Sequence, residues 1–242
     1  MTKHIATLAK AATAAMFLLI FSACETRGIT GSGNVTTENR PVTGAFKSIE
    51  VSSGLDLVLE QSTETKIEVE ADDNLQKHIQ TTISNGVLII KSDFNSYRNV
   101  TAKQITVKIP ALESLQASSG SSVKSTNVLT NASIEVNSSS GADVKLKIEA
   151  EQAVCESSSG SHIEVSGKAI RFQASTSSGS GIDAQHLLAN EVKANASSGS
   201  VIEVHPLVSL DADASSGSVV NYHNEPKSVS RHASSGGSIS KQ

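Results

Sequence analysis

The stretch "NASSGSVIEV" (Asn195 to Val204) places a Ser-Ser-Gly step between two runs of alternating apolar and polar residues. The same step recurs through the second half of the chain at a spacing of 18 to 21 residues. Its glycines are Gly120, Gly141, Gly160, Gly179, Gly199, Gly217 and Gly236. A regular period in this range is typical of a solenoid, in which each repeat forms one supersecondary unit.

The flanks of every Ser-Ser-Gly step follow the period of two that is expected of β-strands. The residue three positions after the glycine is always Val or Ile, and the residue three positions before it is Ala, Ser or Thr. Residues four positions before and after it are polar, so each strand has one buried and one wet face. The pattern predicts an all-β fold, a right-handed parallel β-helix of about seven short coils. Ser-Ser-Gly forms the corners, because glycine enters positive φ at little cost, and a third apolar segment such as Leu187-Leu188 or Leu207-Val208 completes each coil.

The rest of the chain divides by composition into three further regions. Residues 45–110 contain longer alternating strands and an Asn85-Gly86 turn signal, which predicts an irregular N-terminal β region that caps the first coil. Residues 24–44 are polar and rich in Gly and Thr, which predicts a tether. Residues 111–242 carry the Ser-Ser-Gly repeat.

The first 23 residues have the pattern of a signal peptide. Lys3 and Lys10 precede the apolar run Ala11 to Phe21, which is too short to span a bilayer comfortably. Ser22 and Ala23 stand directly before Cys24 and resemble a bacterial lipobox, with Phe21 in place of the more usual Leu. The resemblance implies that Cys24 is lipidated and that the lipid anchors the protein in a membrane. The expected location is the cell envelope, at the outer membrane, on either its periplasmic or its cell-surface face. An ordinary secreted protein with an incidental cysteine is the alternative.

Composition excludes several classes of function. The formal net charge is −4 and no basic run is present, so the chain lacks the concentrated positive face that a nucleic-acid partner requires. Aromatic residues make up 3% of the chain, which argues against a core built on large rings. With Cys24 acylated, Cys155 has no partner for an intramolecular disulfide, and its place in the repeat predicts a small core residue.

Several phrases together resemble the head GIN domain family, which is named for auto-transporter adhesins. The similarity runs from about Phe46 to Ile239. Its phrases are "FKSIEVSSGLDLVLEQ", "VEADDNL", "NGVLII", "VKIPALESL", "SGIDAQHLLANEVKANASSGSVIEV" and "VNYHNEP", the last with Asn224 where the family more often has glycine. The resemblance implies a bacterial envelope lipoprotein with a β-helical fold.

One column of the repeat is a candidate metal site. Glu164, Asp183 and Glu203 follow the glycines of successive coils by four residues, so three carboxylates would lie about 4.8 Å apart. Such a column either holds a hard cation such as calcium or is a solvated stripe relieved by neighbouring lysines, and the second interpretation is favoured. Asp72-Asp73 is expected to cap a turn.

Two other groups of residues invite a functional interpretation. Phe94, Tyr97 and Arg98 follow a predicted strand and form either a contact loop, since aromatics and Arg are enriched at binding hot spots, or a hairpin loop folded over the side of the rod. His205 and His223 share one repeat position, but two imidazoles without a third ligand do not make a zinc site.

The sequence contains no recognisable catalytic signature, so we predict no catalytic residues and no cofactor. The predicted function is that of a non-catalytic, lipid-anchored envelope protein, adhesin-like, which presents a surface to an envelope glycan or protein. A polysaccharide-active enzyme built on the acidic column is the alternative. The sequence leaves the oligomeric state open.

Overall fold

The computed structural model describes residues 27–242, which fold almost entirely as β-strands around a solenoid of about seven turns. The predicted all-β solenoid is confirmed. The signal peptide and Cys24 lie outside the described residues. No helix within residues 27–242 is long and apolar enough to cross a membrane.

The strands fall into an N-terminal group and a solenoid group. The N-terminal elements are β1 (Gly28–Thr30), β2 (Val35–Arg40), β3 (Ser48–Val51), β4 (Asp56–Gln61), β5 (Lys66–Asp72), helix α1 (Asp73–Gln76), β6 (Ile79–Ser84), β7 (Val87–Ser92), β8 (Ser96–Arg98) and β9 (Lys103–Ile109). The solenoid strands are β10 (Ser114–Ala117), β11 (Ser122–Ser138), β12 (Asp143–Ser157), β13 (His162–Thr176), β14 (Gly181–Ala196), β15 (Val201–Ala214), β16 (Val219–Tyr222), β17 (Ser228–Ala233) and β18 (Ser238–Lys241).

Parallel pairing stacks the solenoid strands so that equivalent repeat positions coincide. Ile163 pairs with Ile182, and Ile182 pairs with Ile202, so the branched residues after each glycine form one internal column. All three side chains are at most 1% exposed. Because inward positions alternate with polar outward ones, the strands bury a continuous aliphatic core inside the coils.

The third side of the coil, where the apolar segments lie, is only partly buried. Leu187 is fully buried, but Leu188, Leu207 and Val208 are 40%, 38% and 41% exposed. In β15 the register shifts, so that Leu207 and Val208 together lie opposite Asn190 of β14. The extra residue makes a bulge that turns both side chains outward, so Leu207 and Val208 lie on the outer surface of the coil.

The N-terminal region continues the solenoid and then closes it. Strands β3 and β4 pair with β10 and β11, and the turn at Ser53-Gly54 between them has the same positive φ values as the repeat turns. Strands β7 and β9 extend the stack in parallel, and the antiparallel strands β6, β5 and β2 follow them. This change to antiparallel pairing caps the first coil.

Within the predicted tether of residues 24–44, residues 28–30 and 35–40 form strands. Strand β2 pairs antiparallel with β5, and β1 pairs in parallel with β8. The composition predicted a tether because the residues of β2 are mostly polar. In the structure the strand is almost wholly exposed, so it has no buried apolar face that the sequence could have revealed. Backbone hydrogen bonds to β5 hold it in place, and the β-branched Val35, Thr36 and Thr37 favour an extended strand.

Candidate functional site

Each Ser-Ser-Gly step forms a tight turn of one conformation. In the turn at Gly179, both Ser178 (φ 55°) and Gly179 (φ 68°) are left-handed, and the Ser180 N–H donates to Ser177 O over 3.3 Å. Positive φ at both central residues with this closing bond identifies a type I′ turn. The Gly179 N–H donates to Ser198 O of the next turn over 3.1 Å, so the turns are bonded to one another as well as stacked.

The serine after the glycine joins the coils from inside. Ser180 is buried, and its Oγ lies 2.6 Å from Ser157 O of the previous coil and 2.8 Å from Ser177 O of its own turn. Ser161 makes the same two contacts with Ser138 O and Ser158 O, each over 2.8 Å. Each of these hydroxyls therefore ties its turn to the previous coil. A small residue after every glycine was the available signal, since the seven positions hold only Ser, Ala or Gly.

A surface depression runs beside the stacked turns, across the strands. One wall is the outward residue four positions before each glycine, and the other wall is the first serine of each turn. Its volume is about 680 Å³. We call it the serine groove, and its walls are Gln116, Asn137, Glu156, Ser175, Asn195 and Asp213 on one side and Ser139, Ser158, Ser177, Ser197 and Ser215 on the other.

The polar groups of the serine groove are largely unused within residues 27–242. The side chains of Gln116, Glu156, Asn195 and Asp213 make no hydrogen bond or ion pair with the described part of the chain. Asn137 has one partner, Glu135 Oε1, at 2.8 Å. The groove therefore offers a row of free amide, carboxylate and hydroxyl groups to solvent or to a ligand.

The acidic column has a different environment. The structure stacks Glu164, Asp183 and Glu203 on adjacent coils, as the sequence predicts. Glu164 forms an ion pair with Lys145 at 2.7 Å, and the Asp183 carboxylate accepts a hydrogen bond from Gln185 Nε2 over 3.0 Å.

Glu203 is partnered as well. It accepts a hydrogen bond from Asn221 Nδ2 over 2.9 Å and contacts His223 Nε2. His205 lies apart from this pair, with its Nδ1 3.2 Å from Gln185 O. No group of three or more His, Cys, Asp or Glu side chains in residues 27–242 is arranged to hold a metal ion. Each of the three stacked carboxylates has a polar or basic partner within residues 27–242.

The candidate contact loop folds back onto the first coil. Tyr97 packs against the Gly54 turn, and its hydroxyl lies 2.8 Å from Ser53 O and 3.0 Å from Phe94 O. Burial raises the pKa of Tyr97 above its ordinary value. Phe94 meets the His78 ring edge-on at 4.7 Å, which leaves Arg98 exposed in this trio. The two aromatic rings are therefore engaged in internal packing.

Asp72 fixes the entry of the chain into the fold. Its buried carboxylate accepts hydrogen bonds from the N–H groups of Gly33, Thr101 and Ala102, each over 2.9 Å. Burial opposes its ionisation, but the backbone N–H donors outweigh burial and hold the pKa of Asp72 below its ordinary value. Asp72 precedes α1 but makes no side-chain bond to it. It therefore joins two loops to the end of β5, a role that its expected place at a turn did not indicate.

Cys155 lies in the core, as the repeat position predicts. Its side chain is fully buried and it forms no disulfide. Burial raises the pKa of its thiol to about 12, so the nucleophilic thiolate is suppressed at neutral pH.

Comparison with known proteins identifies relatives of this fold. A family model described as "Putative auto-transporter adhesin, head GIN domain" matches residues 45–226. No curated protein matches the chain. A solved structure of a "putative adhesin" from Bacteroides fragilis is similar, with a TM-score of 0.83, 22% identity, and coverage of 89% of this chain and 100% of the other.

A second structure, a "Putative lipid binding protein" from Parabacteroides distasonis, has a TM-score of 0.71 and 23% identity. The match covers 89% of this chain and 100% of that one. At these identities the two structures establish a shared fold.

Proposed function

From the premise that the chain belongs to the head GIN domain family, we propose that it is a non-catalytic, lipid-anchored cell-envelope protein, adhesin-like in function. In this proposal Cys24 carries the lipid and the solenoid presents its outer surface to a partner. The outer membrane is the proposed site, with the rod on its periplasmic or cell-surface face, and an adhesin-like role requires the second.

The observation that carries the binding role is the serine groove. A depression of about 680 Å³ that crosses successive coils, with free hydrogen-bonding groups on its walls, is suited to contact with a partner. The rigid, bonded turns hold those groups in fixed positions, which limits the entropy lost on binding.

The envelope location is supported by two independent features. The basic, apolar and small-residue order that ends at Cys24 is typical of a lipoprotein signal. The names of the related structures, adhesins and one lipid-binding protein, agree with proteins of the cell envelope. Two or three acyl chains would anchor the protein stably, since each buried methylene contributes about 0.8 kcal/mol.

Metabolic labelling tests the anchor. Cells that express the full chain are grown with an alkyne-bearing fatty acid, and the purified protein is probed for the label. We expect label on the wild type and on Cys155→Ala, the matched control, and none on Cys24→Ala. Label that persists in Cys24→Ala would contradict the proposed site.

Protease treatment of intact cells tests the surface role. We expect the protease to cleave the solenoid, or to cut the segment that links it to the lipid anchor, in cells whose outer membrane has not been permeabilised. Protection in intact cells, with cleavage only after the outer membrane is opened, would exclude the cell-surface face and an adhesin-like role there.

The alternative of a polysaccharide-active enzyme relies on the acidic column. Glu164 and Glu203 are already paired with basic or amide groups, which does not favour a free acid and base pair. Turnover of an envelope polysaccharide that is lost in the triple Ala variant of Glu164, Asp183 and Glu203, with folding retained, would establish the enzyme instead.

A further inference from the structure

We propose that the serine groove binds an extended glycan, with the sugar chain parallel to the solenoid axis and composed of neutral or amino-sugar units. The inference deepens the proposed adhesin-like function, on which it rests, by naming the ligand class and the site.

The groove has the length and the repeat of a linear polymer. One wall consists of six residues, each of which pairs in register with the next one along the stack of coils. They are Gln116, Asn137, Glu156, Ser175, Asn195 and Asp213. With strands ~4.8 Å apart, the groove extends for roughly 24 Å. A pyranose unit in an extended chain advances by a distance similar to one coil, so successive sugars would meet equivalent groups.

The chemistry of the walls matches hydroxyl-rich ligands. Asn195 offers both amide donors and an acceptor, Glu156 and Asp213 offer acceptors, and the turn serines offer hydroxyls that serve as either. None of the first three side chains has a partner within residues 27–242. A sugar chain would satisfy them without breaking any internal bond.

A peptide fits this groove poorly. Strand addition requires a free backbone edge, but the groove crosses the strands, and the backbone along it is already paired between coils. Between the two walls, the groove is lined by small buried residues such as Ser157 and Thr176, so it also lacks large apolar pockets for peptide side chains.

Charge narrows the class of glycan. Glu156 and Asp213 are the ionised groups in the groove walls. The next outward column adds Glu135, Lys193 and Asp211, so acids outnumber bases beside the groove as well. This field repels uronic-acid polymers and attracts protonated amino sugars, most strongly at low ionic strength.

The test measures binding of three oligosaccharides of equal length to the full chain, purified in detergent, by calorimetry. The probes are a neutral β-1,4-glucan, chitosan and polygalacturonate. We expect saturable binding of the glucan and of chitosan, tighter for chitosan at low salt, and no binding of polygalacturonate.

Two matched variants locate the site. Ser175→Arg places a long cationic side chain in the middle of the groove, whereas Gln173→Arg adds the same group to the same strand two residues away, outside the groove lining. With the neutral glucan as probe, which does not respond to added charge beside the groove, we expect Ser175→Arg to weaken binding by at least about tenfold and Gln173→Arg to leave it within about twofold. Both positions face outward and are not buried, so both variants are expected to fold.

Three results would overturn the proposal. The first is that neither glucan nor chitosan binds, the second is that Ser175→Arg does not weaken binding, and the third is that polygalacturonate binds with an affinity equal to that of chitosan. In each case lipidation at Cys24 and surface exposure remain measurable separately, so failure of the glycan site is distinguishable from failure of the envelope role.

Discussion

At the residue scale, the repeat depends on two consecutive left-handed residues, and only one of them is glycine. Seven repeat turns, and the related turn at Ser53, place a serine at φ between 48° and 66° directly before the glycine. A left-handed conformation costs a residue with a Cβ roughly 1–2 kcal/mol, whereas Asn tolerates it better. Every turn therefore contains one position that is not optimised for stability.

Substitutions in the Gly179 turn test this conclusion. Ser178→Asn is expected to stabilise the protein by a few tenths to about 1 kcal/mol, because Asn and Gly are the preferred pair in type I′ turns. Gly179→Ala is expected to destabilise it by about 1–2 kcal/mol. A Cβ at Gly179 would meet no atom within 4 Å, so the loss would reflect backbone conformation alone. Urea unfolding midpoints measure both effects, and equal midpoints for the two variants would contradict the turn assignment.

At the element scale, each solenoid strand has two faces that respond differently to the same change. Ile202 is fully buried, whereas its neighbour Val201 is 40% exposed on the outer face. Ile202→Asp is expected to lower the free energy of unfolding by several kcal/mol, because it buries an unpaired charge. Val201→Asp is the matched control and is expected to change it by less than about 1 kcal/mol. Thermal melting compares them, and a similar loss in both variants would mean that the strand faces are wrongly assigned.

A second prediction at this scale concerns the joint that Asp72 makes between the β1–β2 loop and the segment before β9. Asp72→Asn replaces an acceptor oxygen by an amide that faces a backbone donor, which is expected to cost about 1–3 kcal/mol at neutral pH. Asp73→Asn is the control, since Asp73 is exposed and accepts a hydrogen bond from Ser32 Oγ.

The same pair of variants predicts a pH dependence. The pKa of Asp72 is lowered from 3.8 in the folded state, so its ionised form stabilises the fold fully above that ordinary value. This contribution is lost as the pH falls through the lower folded-state pKa. The stability difference between wild type and Asp72→Asn should therefore shrink as the pH falls below 3.8. A difference that stays constant with pH would contradict the role of the carboxylate charge.

The sequence predicted the elements of the repeat better than those outside it. Ile163, Ile182 and Ile202 revealed their column because burial repeats with every coil. The strand character of β2 was hidden because backbone pairing with β5, rather than a buried face, holds it. The bulge at Leu207-Val208 was hidden because two apolar residues look the same whether they point inward or outward.

The candidate site was less accessible to sequence reasoning. Glu164, Asp183 and Glu203 are stacked as expected, but their partners depend on side-chain positions that a column of letters does not give. The polar column before the turns was visible in the sequence. Only the structure shows that this column forms one wall of a groove, because the stacked serines that form the other wall lie beside it.

At the scale of the whole molecule, the turns stack into one bonded column that runs beside the serine groove. The same rigid stack supports the fold, the groove and the proposed binding role. If the turns were not adjacent, the groove would not exist, and both the adhesin-like function and its glycan ligand would lose their physical basis.

Disulfide trapping between turns tests this stacking most directly. In a Cys24→Ser, Cys155→Ala background, cysteines replace Ser159 and Ser178 of adjacent turns, or Ser159 and Ser198, which are two coils apart. Adjacent strands are ~4.8 Å apart, within the range of Cα separations that a disulfide bridges, whereas two coils span roughly twice that distance. We expect rapid crosslinking of the adjacent pair under mild oxidation and none of the distant pair. Equal crosslinking of both pairs, or none of the adjacent pair, would contradict the stacking of the turns.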